Sequence, residues 1–235
     1  MNQQNTLHIA IIPDGNRRWA KKKRLQPWVG HVKGAQNAKK LVLDKKLIEL
    51  GITHFTFWGS SKDNVTRRPK KEIEALFNLS EQYFGEMLNN LRELLKKGVC
   101  VRARGEWQKY YPKKAQEIIK RLVNLTKGNT KYSLTFLLAY DGREEMVEVI
   151  EKMKDQKKIS VEDIKKYLWT NDLPPVDLLI RTGSADDPHL SAGFMMWDTA
   201  YAGIYFTDTL WPDFGIKELK QAVQKFSKTE RRFGK

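Results

Sequence analysis

A short polar turn near the start of the chain, Pro13-Asp14-Gly15-Asn16, joins residue types that bind phosphate. The apolar run before it predicts a buried strand, and the basic run after it, with Arg17 and Arg18, is compatible with a helix. A strand that passes through a glycine-bearing turn into a helix presents backbone N–H groups to anions. A carboxylate beside such a site is unfavourable unless a cation such as Mg²⁺ bridges it to the phosphate. The alternative is an ordinary turn in which Asp14 caps the helix.

Two further loops gather similar side chains directly after predicted strands. Residues 60–68 contain two serines, an asparagine and two arginines, and residues 181–191 begin with Arg181 and end with Ser191. Arginine forks match phosphate oxygens, and serine and asparagine can orient a proton transfer. A solvated basic loop and a surface turn with an ordinary ion pair are the alternatives for these two segments.

Histidine and cysteine offer little metal or redox chemistry. His31 could face a ligand from the start of a helix, whereas His8 and His54 lie in strand-like runs and are interpreted as structural. No two histidines have metal-ligand spacing, which argues against zinc. Cys100 is the single cysteine, so the chain forms no internal disulfide.

Strand-like and helix-like segments alternate along the whole chain. The predicted strands are 7–12, 54–58, 99–103, 132–140, 176–180 and 203–206, and the predicted helices are 31–50, 72–97, 112–125, 142–154, 161–169 and 216–226. This alternation predicts an α/β fold with a central mostly parallel sheet flanked by helices. Ligands of such sheets bind beyond the carboxyl ends of the strands, where all three polar loops lie.

The charge balance points to an anionic partner. Lys and Arg exceed Asp and Glu by 43 to 28, a formal net charge of +15 over 235 residues. Nucleic acid, an anionic membrane surface or phosphorylated small molecules would match this charge, and a lysine-rich solvated surface is the alternative. Residues 1–6 lack the apolar core of a signal peptide, and no apolar run approaches the ~20 residues that span a bilayer. These features predict a cytoplasmic protein and leave a peripheral membrane contact open.

Five separated motifs, in order between residues 8 and 234, resemble the cis-prenyltransferase family, the undecaprenyl diphosphate synthase-like enzymes. They are DGNRRWA at 14–20, GH at 30–31, SKDN with RRP at 61–69, VDLLIRTG with LS at 176–191, and AYAGIYFTD with LWPDF at 200–214. The ERRFG segment at 230–234 also resembles the ending of that family.

The resemblance implies a homodimeric α/β fold with a hydrophobic tunnel for the growing isoprenoid. It implies a Mg²⁺-dependent condensation of isopentenyl diphosphate with an allylic prenyl diphosphate, which creates a new cis double bond. Such an enzyme would be one catalytic domain over residues 1–235, with no nucleic-acid partner.

The resemblance also implies a role for each polar loop. Asp14 would bind Mg²⁺ and assist the leaving diphosphate, and Ser61 and Asn64 would lie near the proton that isopentenyl diphosphate loses. The predicted substrate-binding residues are Gly15, Asn16, Arg17, Arg18, Trp19, His31, Arg67, Arg68, Arg181, His189, Ser191, Arg232 and Gly234. Among them, the residues that would hold the allylic diphosphate are Gly15, Asn16, Arg18 and His31. Arg181 and Ser191 would bind the diphosphate of isopentenyl diphosphate. The C-terminal segment from Arg232 to Gly234 would reach towards a partner's pocket.

Several positions depart from the family pattern. Pro27 stands where a phosphate-binding arginine is usual, and Val65 replaces an aromatic residue. The arginine pair 67–68 is one residue longer than the common spacing, which leaves the matching arginine open. Residues 186–189 replace an arginine before the Leu-Ser pair, and Gly203 stands where the family has a metal-site glutamate. The losses at Pro27 and Gly203 suggest the hypothesis that the products are short or irregular.

Other functions remain as hypotheses. One is an irregular, head-to-middle coupling of prenyl diphosphates on the same fold. Another is a non-catalytic subunit, against which the retained Asp14 argues. A basic nucleic-acid or membrane-binding module would show a basic stripe with interleaved aromatics, whereas these arginines cluster in loops with Asp, Ser and Asn.

Overall fold

The computed structural model describes residues 6–228, which contain a six-stranded sheet. The strands are β1 (Leu7–Ile12), β2 (Ile52–Trp58), β3 (Val99–Arg104), β4 (Tyr132–Leu137), β5 (Leu178–Thr182) and β6 (Gly203–Thr207). Their order is β3-β4-β2-β1-β5-β6, and every neighbouring pair is parallel. The predicted α/β class is confirmed, and the sheet is fully rather than mostly parallel.

Helices and a 3-10 turn (Trp211–Asp213) connect and flank the strands. The helices are α1 (Asn16–Lys22), α2 (Pro27–Leu43), α3 (Lys46–Glu49), α4 (Lys62–Thr66), α5 (Lys70–Asn89), α6 (Leu91–Lys97), α7 (Trp107–Tyr110), α8 (Lys113–Thr126), α9 (Gly142–Met153), α10 (Val161–Tyr167) and α11 (Ile216–Ser227). Within residues 6–228, none of them is long and apolar enough to cross a lipid bilayer.

Two long predicted helices are each divided in the structure. The prediction 31–50 becomes α2 and α3 because Asp44 is extended and its Oδ1 accepts a hydrogen bond from Lys46 N at 2.9 Å. α2 also begins earlier than predicted, at Pro27, whose fixed φ suits a first helical position. The prediction 72–97 becomes α5 and α6, which separate at Asn90, where the side-chain amide donates to Glu86 O at 2.8 Å.

Strand β1 is buried on both faces. Ile9 and Ile11 belong to the core under α2, the 3-10 turn and α11, whereas Ala10 and Ile12 pack against the residues around Phe194 on the opposite face. These four side chains are at most 4% exposed. A strand covered on both faces is mainly apolar. His8 is the buried polar side chain of β1, and its ring nitrogens lie 2.8 Å from Pro174 O and from Thr56 Oγ1. The polar groups that can meet a ligand therefore lie in the loop beyond the carboxyl end of the strand.

Candidate active site

Asp14, just beyond the end of β1, joins the first polar loop to the third. Its Oδ2 accepts a hydrogen bond from Arg181 Nη2 at 2.9 Å, and its Oδ1 lies 3.2 Å from Arg18 Nη2. Arg181 Nη1 also donates to Ser191 Oγ at 2.7 Å. Ile12 pairs with Arg181 in the sheet, so the parallel register of β1 and β5 brings these four predicted site residues together.

The Arg181 guanidinium is buried and only partly satisfied. The residue is 5% exposed, and within the described chain its Nε donates no hydrogen bond. A buried cation is costly unless it is paired, and Asp14 supplies the neutralising charge here. An incoming anion could therefore use the free N–H and compete for the same guanidinium.

The backbone at Asp14 is held from two directions. Thr182 Oγ1 and Trp211 N both donate to Asp14 O, at 2.7 and 3.0 Å. Gly183 approaches closely with φ +62°, and a Cβ there would lie 2.9 Å from Arg18 Nη2. Glycine is required at this approach, because a side chain would be strained and would displace the arginine.

A second cluster surrounds Glu72, which was not predicted. Its Oε1 lies 2.9 Å from Arg68 Nη1, 3.2 Å from His31 Nε2 and 3.8 Å from Arg17 Nε. Burial, followed by the charge of Arg68, lowers the pKa of His31, so its ring is neutral at neutral pH. Two arginines against one carboxylate leave this cluster with a net positive charge. The available signal in the sequence was a carboxylate at the start of a predicted helix, four residues after Arg68.

Helix α2 approaches the start of α1 through Gly30 and Gly34. A Cβ on Gly30 would lie 2.0 Å from Asn16 O, and one on Gly34 would lie 2.2 Å from Asn16 Oδ1. Asn16 Oδ1 is buried and accepts no hydrogen bond from residues 6–228. Sequence reasoning missed Gly34, although two glycines four residues apart on a helix indicate a close helix contact.

The two clusters border a polar pocket that adjoins an apolar cavity. The pocket, of ≈ 650 Å³, is lined by Pro13, Asp14, Gly15, Asn16, Arg17, Arg18, Lys21, Arg24, Leu25, Pro27, His31 and Arg68. The cavity, of ≈ 440 Å³, lies between α2 and α5 and includes Ala38, Leu76, Phe84 and Met87 in its wall. Pro13, Asn16 and His31 line both spaces. A ligand with a polyanionic head and an apolar tail would match this arrangement.

The predicted proton-transfer pair is engaged in local structure. Ser61 Oγ accepts a hydrogen bond from Asn64 N at 3.1 Å, and Asn64 Oδ1 accepts one from Ser61 N at 3.3 Å. This reciprocal capping box begins α4. Neither residue lines the pocket or the cavity, so their catalytic role remains a prediction.

The two neighbouring arginines of the second loop have different surroundings. Arg68 lines the polar pocket, whereas the Arg67 side chain is 79% exposed and lies 3.2 Å from Asp63. Arg68 is therefore the arginine of the pair that can meet a ligand in this pocket.

Trp19 and His189 make contacts that differ from their predicted roles. Trp19 is buried beside Leu210, and its Nε1 donates to Asp213 Oδ1 at 2.8 Å. The His189 ring contacts Asp187 O at 2.9 Å, while its own backbone oxygen accepts a hydrogen bond from Arg181 at 2.7 Å. The predicted residues Arg232 and Gly234 lie outside the described residues.

A Mg²⁺ ion fits this site only with help from a substrate. Asp14 is the one acidic residue among those lining the polar pocket. Within residues 6–228, no group of three or more His, Cys, Asp or Glu side chains could hold a metal ion. Mg²⁺ is commonly held by one or two carboxylates together with substrate phosphates and water, and Asp14 satisfies that requirement.

Comparison with known proteins identifies the family. The undecaprenyl diphosphate synthase family matches residues 12–234. The chain belongs to this family. It is 37% identical to an isoprenyl transferase of Zymomonas mobilis, over 97% of this chain and 91% of that protein. It is 34% identical to a tritrans,polycis-undecaprenyl-diphosphate synthase (geranylgeranyl-diphosphate specific) of Methanopyrus kandleri, over 97% and 84%.

A solved structure supports the same membership. Lavandulyl diphosphate synthase from Lavandula x intermedia, in complex with dimethylallyl diphosphate, matches with a TM-score of 0.87 and 29% identity, covering 97% of this chain and 98% of that one. The chain is thus a cis-prenyltransferase of the undecaprenyl diphosphate synthase family, as its motifs indicated.

Gly203, a departure from this family, lies away from Asp14 within the same chain. It pairs with Leu178, whereas Phe206 pairs with Arg181, so three residues, or roughly 10 Å of strand, separate it from the level of Arg181. A Cβ on Gly203 would also lie 2.7 Å from the Phe226 ring. A glutamate there would have to displace Phe226 and could not join Asp14 in one protomer.

Proposed function

We propose that this chain condenses isopentenyl diphosphate with an allylic prenyl diphosphate to form a cis-prenyl diphosphate. The observation that carries the proposal is the shared boundary between the polar pocket and the apolar cavity, formed by Pro13, Asn16 and His31. The arginines of the pocket match a diphosphate, and the cavity between α2 and α5 would receive the isoprenoid tail as a hydrophobic tunnel. Residues 1–235 would form the single catalytic domain.

The reaction separates charge, and the site offers cations for the departing diphosphate and an apolar cavity for the allylic cation. The allylic C1–O bond breaks, a carbon–carbon bond forms to isopentenyl diphosphate, and a proton leaves the latter. Arg17, Arg18 and Arg68 would stabilise the departing diphosphate, and the apolar cavity would keep water from the allylic cation. Preorganised cations cost little reorganisation at the moment of ionisation.

Asp14 is the residue that would hold Mg²⁺ together with diphosphate oxygens, and the ion would supply further charge neutralisation. In its present contacts Asp14 is paired with Arg18 and Arg181. Substrate binding would therefore break these two ion pairs. The Asp14 carboxylate would then be available to the cation, and the two arginines to the phosphate oxygens. The neighbouring diphosphate of isopentenyl diphosphate would bind Arg181, Ser191 and the His189 segment.

The proton transfer would take place beside the second loop. Ser61 and Asn64 are the proposed pair, and if the α4 cap opened they would orient the transfer of that proton to an oxygen of the departing diphosphate. The C-terminal Arg232 and Gly234 would complete the pocket of a partner copy.

A homodimer would cover an apolar edge of the molecule. Ile204 on the edge strand β6 and Tyr201 just before this strand are 48% and 79% exposed. The family glutamate position, Gly203, lies on this same strand. The carboxylate that the family carries there would then serve a partner's site rather than its own.

The curated relatives favour regular cis-prenyl synthesis over the irregular, head-to-middle alternative. The positive pocket with its acidic residue argues against a nucleic-acid module. A cytoplasmic enzyme with a peripheral membrane contact remains part of the proposal.

Product analysis tests the function. Purified protein is incubated with Mg²⁺, radiolabelled isopentenyl diphosphate and allylic diphosphates of several lengths, and the products are identified by mass spectrometry. We expect a labelled prenyl diphosphate extended by whole isoprene units. Labelled isopentenyl diphosphate recovered unchanged with every allylic partner would contradict the proposal, and would favour a non-catalytic subunit.

A further inference from the structure

A basic surface runs along the lip of the polar pocket. It comprises residues 21–28, from the end of α1 to the start of α2, and is named here the lip segment. Lys21, Lys22, Lys23 and Arg24 are all exposed, and Lys21 and Arg24 line the pocket itself. The surface is therefore next to the proposed entrance for substrate.

The positive charge of the lip segment is not balanced locally. Between Asp14 and Asp44 the sequence has nine Lys and Arg residues and no Asp or Glu. Within residues 6–228, the ion pairs of α1 involve Arg17 and Arg18, and residues 21–24 take part in none. Lys23 Nζ lies over the Trp19 ring at 5.2 Å, a contact that leaves its charge unneutralised. An exposed cluster of four cations without ion pairs has the density that binds anionic lipid headgroups.

Large apolar side chains stand beside these cations. Leu25 is 44% exposed and Trp28 is 42% exposed, and Leu25 and Pro27 line the pocket. An indole next to basic residues is the composition of a membrane–water interface, where the ring sits at headgroup level. Leu25 and Trp28 would add apolar insertion to the electrostatic attraction.

The turn in this segment retains a charged residue at a position that favours glycine. Arg24 has φ +58°, and the hydrogen bonds from Arg24 N to Lys21 O and from Leu25 N to Ala20 O form the turn that ends α1. Glycine would adopt this conformation without strain. Arg24 thus adds charge to the lip segment at a cost in backbone strain.

We propose that the lip segment docks the protein on an anionic lipid bilayer, with the pocket entrance facing the membrane surface. The reason for docking rests on the proposed function, because a prenyl diphosphate with an apolar tail partitions into bilayers. The binding itself rests on the charge, the exposure and the position of residues 21–28. A bilayer, rather than a nucleic acid, is favoured because Leu25 and Trp28 offer insertion and the cations surround a pocket mouth.

Vesicle sedimentation tests the proposal with a matched control. Full-length protein is mixed with sucrose-loaded vesicles of phosphatidylcholine alone or with about 30% phosphatidylglycerol. The test variant is Lys22→Glu/Lys23→Glu, at positions outside the pocket lining, and a second is Trp28→Ser. The control is Lys157→Glu/Lys158→Glu, another exposed adjacent pair beside an exposed isoleucine.

Wild type and control should bind the anionic vesicles equally, and the lysine variant should bind at least about tenfold more weakly. Trp28→Ser should also weaken binding, and raising salt should weaken what remains. Equal loss in test and control pairs, or no preference for anionic vesicles, would overturn the proposal. Turnover of a short, water-soluble allylic diphosphate without vesicles is measured in parallel. Retained turnover without vesicle binding refutes the docking surface alone, whereas vesicle binding without turnover refutes the proposed function alone.

Discussion

Replacing Gly34 with alanine should disturb the loop around Asp14 more than it disturbs the helix that carries the change. The new methyl group would lie 2.2 Å from Asn16 Oδ1 and 2.8 Å from Trp211 Cδ1. About 1 Å of movement is needed to restore ordinary contact. Because Asn16 begins α1 and lines both the pocket and the cavity, that movement displaces the pocket wall.

The expected magnitudes follow from two opposing effects. Alanine in place of glycine within a helix stabilises by about 1 kcal/mol, whereas overpacking typically costs about 1–3 kcal/mol. Gly85 in α5 provides the control, since a Cβ there meets no atom within 4 Å. Gly85→Ala should therefore be about 1 kcal/mol more stable than wild type, and Gly34→Ala about 1–3 kcal/mol less stable than Gly85→Ala.

The activity difference should be larger than the stability difference. A displacement of about 1 Å at a substrate-positioning residue can lower the rate by about 10²-fold. Urea unfolding and steady-state kinetics on the same samples provide both values. If Gly34→Ala matched Gly85→Ala in stability and turnover, the close contact between α2 and the Asp14 loop would contribute neither to stability nor to activity.

Three further variants test separate parts of the site and fold. Asp14→Ala should lower turnover at least ~10²-fold, the scale for losing a key electrostatic stabiliser, and near-normal Mg²⁺-dependent kinetics would refute its role. Arg181→Ala should raise the KM for isopentenyl diphosphate far more than that for the allylic substrate, since it removes a charge-assisted fork; equal effects would mean the wrong pocket. Burial lowers the pKa of His8 to about 4, below the ~6.5 of an unfolded chain. The stability that the neutral His8 ring contributes is therefore fully present above pH 6.5 and is lost as the pH falls toward 4. Between pH 7 and 4.5 this histidine should account for about 2–3 kcal/mol of lost unfolding free energy, and His8→Gln should show a correspondingly flatter urea-unfolding profile.

The pattern of apolar residues along the sequence was sufficient to predict the strands and the parallel sheet. The apolar run of β1 predicted a strand buried on both faces, and the alternation with helices predicted parallel strands whose carboxyl ends share an edge. The position of Asp14 beside Arg181 also depends on the strand order, which places β5 next to β1 and which the sequence pattern does not contain. Helix ends were less predictable, because Asp44 and Asn90 stop helices through side-chain hydrogen bonds that apolar periodicity does not contain.

The unpredicted parts of the site depend on contacts between distant segments. Glu72 becomes a site residue because α5 carries it to His31, 41 residues away in sequence. Gly34 matters because Asn16 lies against it. Ser61 and Asn64 were assigned to proton transfer from their residue types and the family resemblance; the structure also places them in a capping box, and the assignment stays a prediction. Gly203 was interpreted as the loss of a metal-site carboxylate, which stays a prediction; the register of β6, which places it opposite Leu178, depends on strand pairing that local pattern does not contain.

The most direct test of the central claim is a crystal structure with a non-hydrolysable thio-diphosphate analogue of an allylic substrate. We expect a diphosphate contacting Arg17, Arg18 and Arg68, and a prenyl tail that passes Asn16 and His31 into the cavity between α2 and α5. A diphosphate bound elsewhere, or a tail lying outside that cavity, would contradict this expectation.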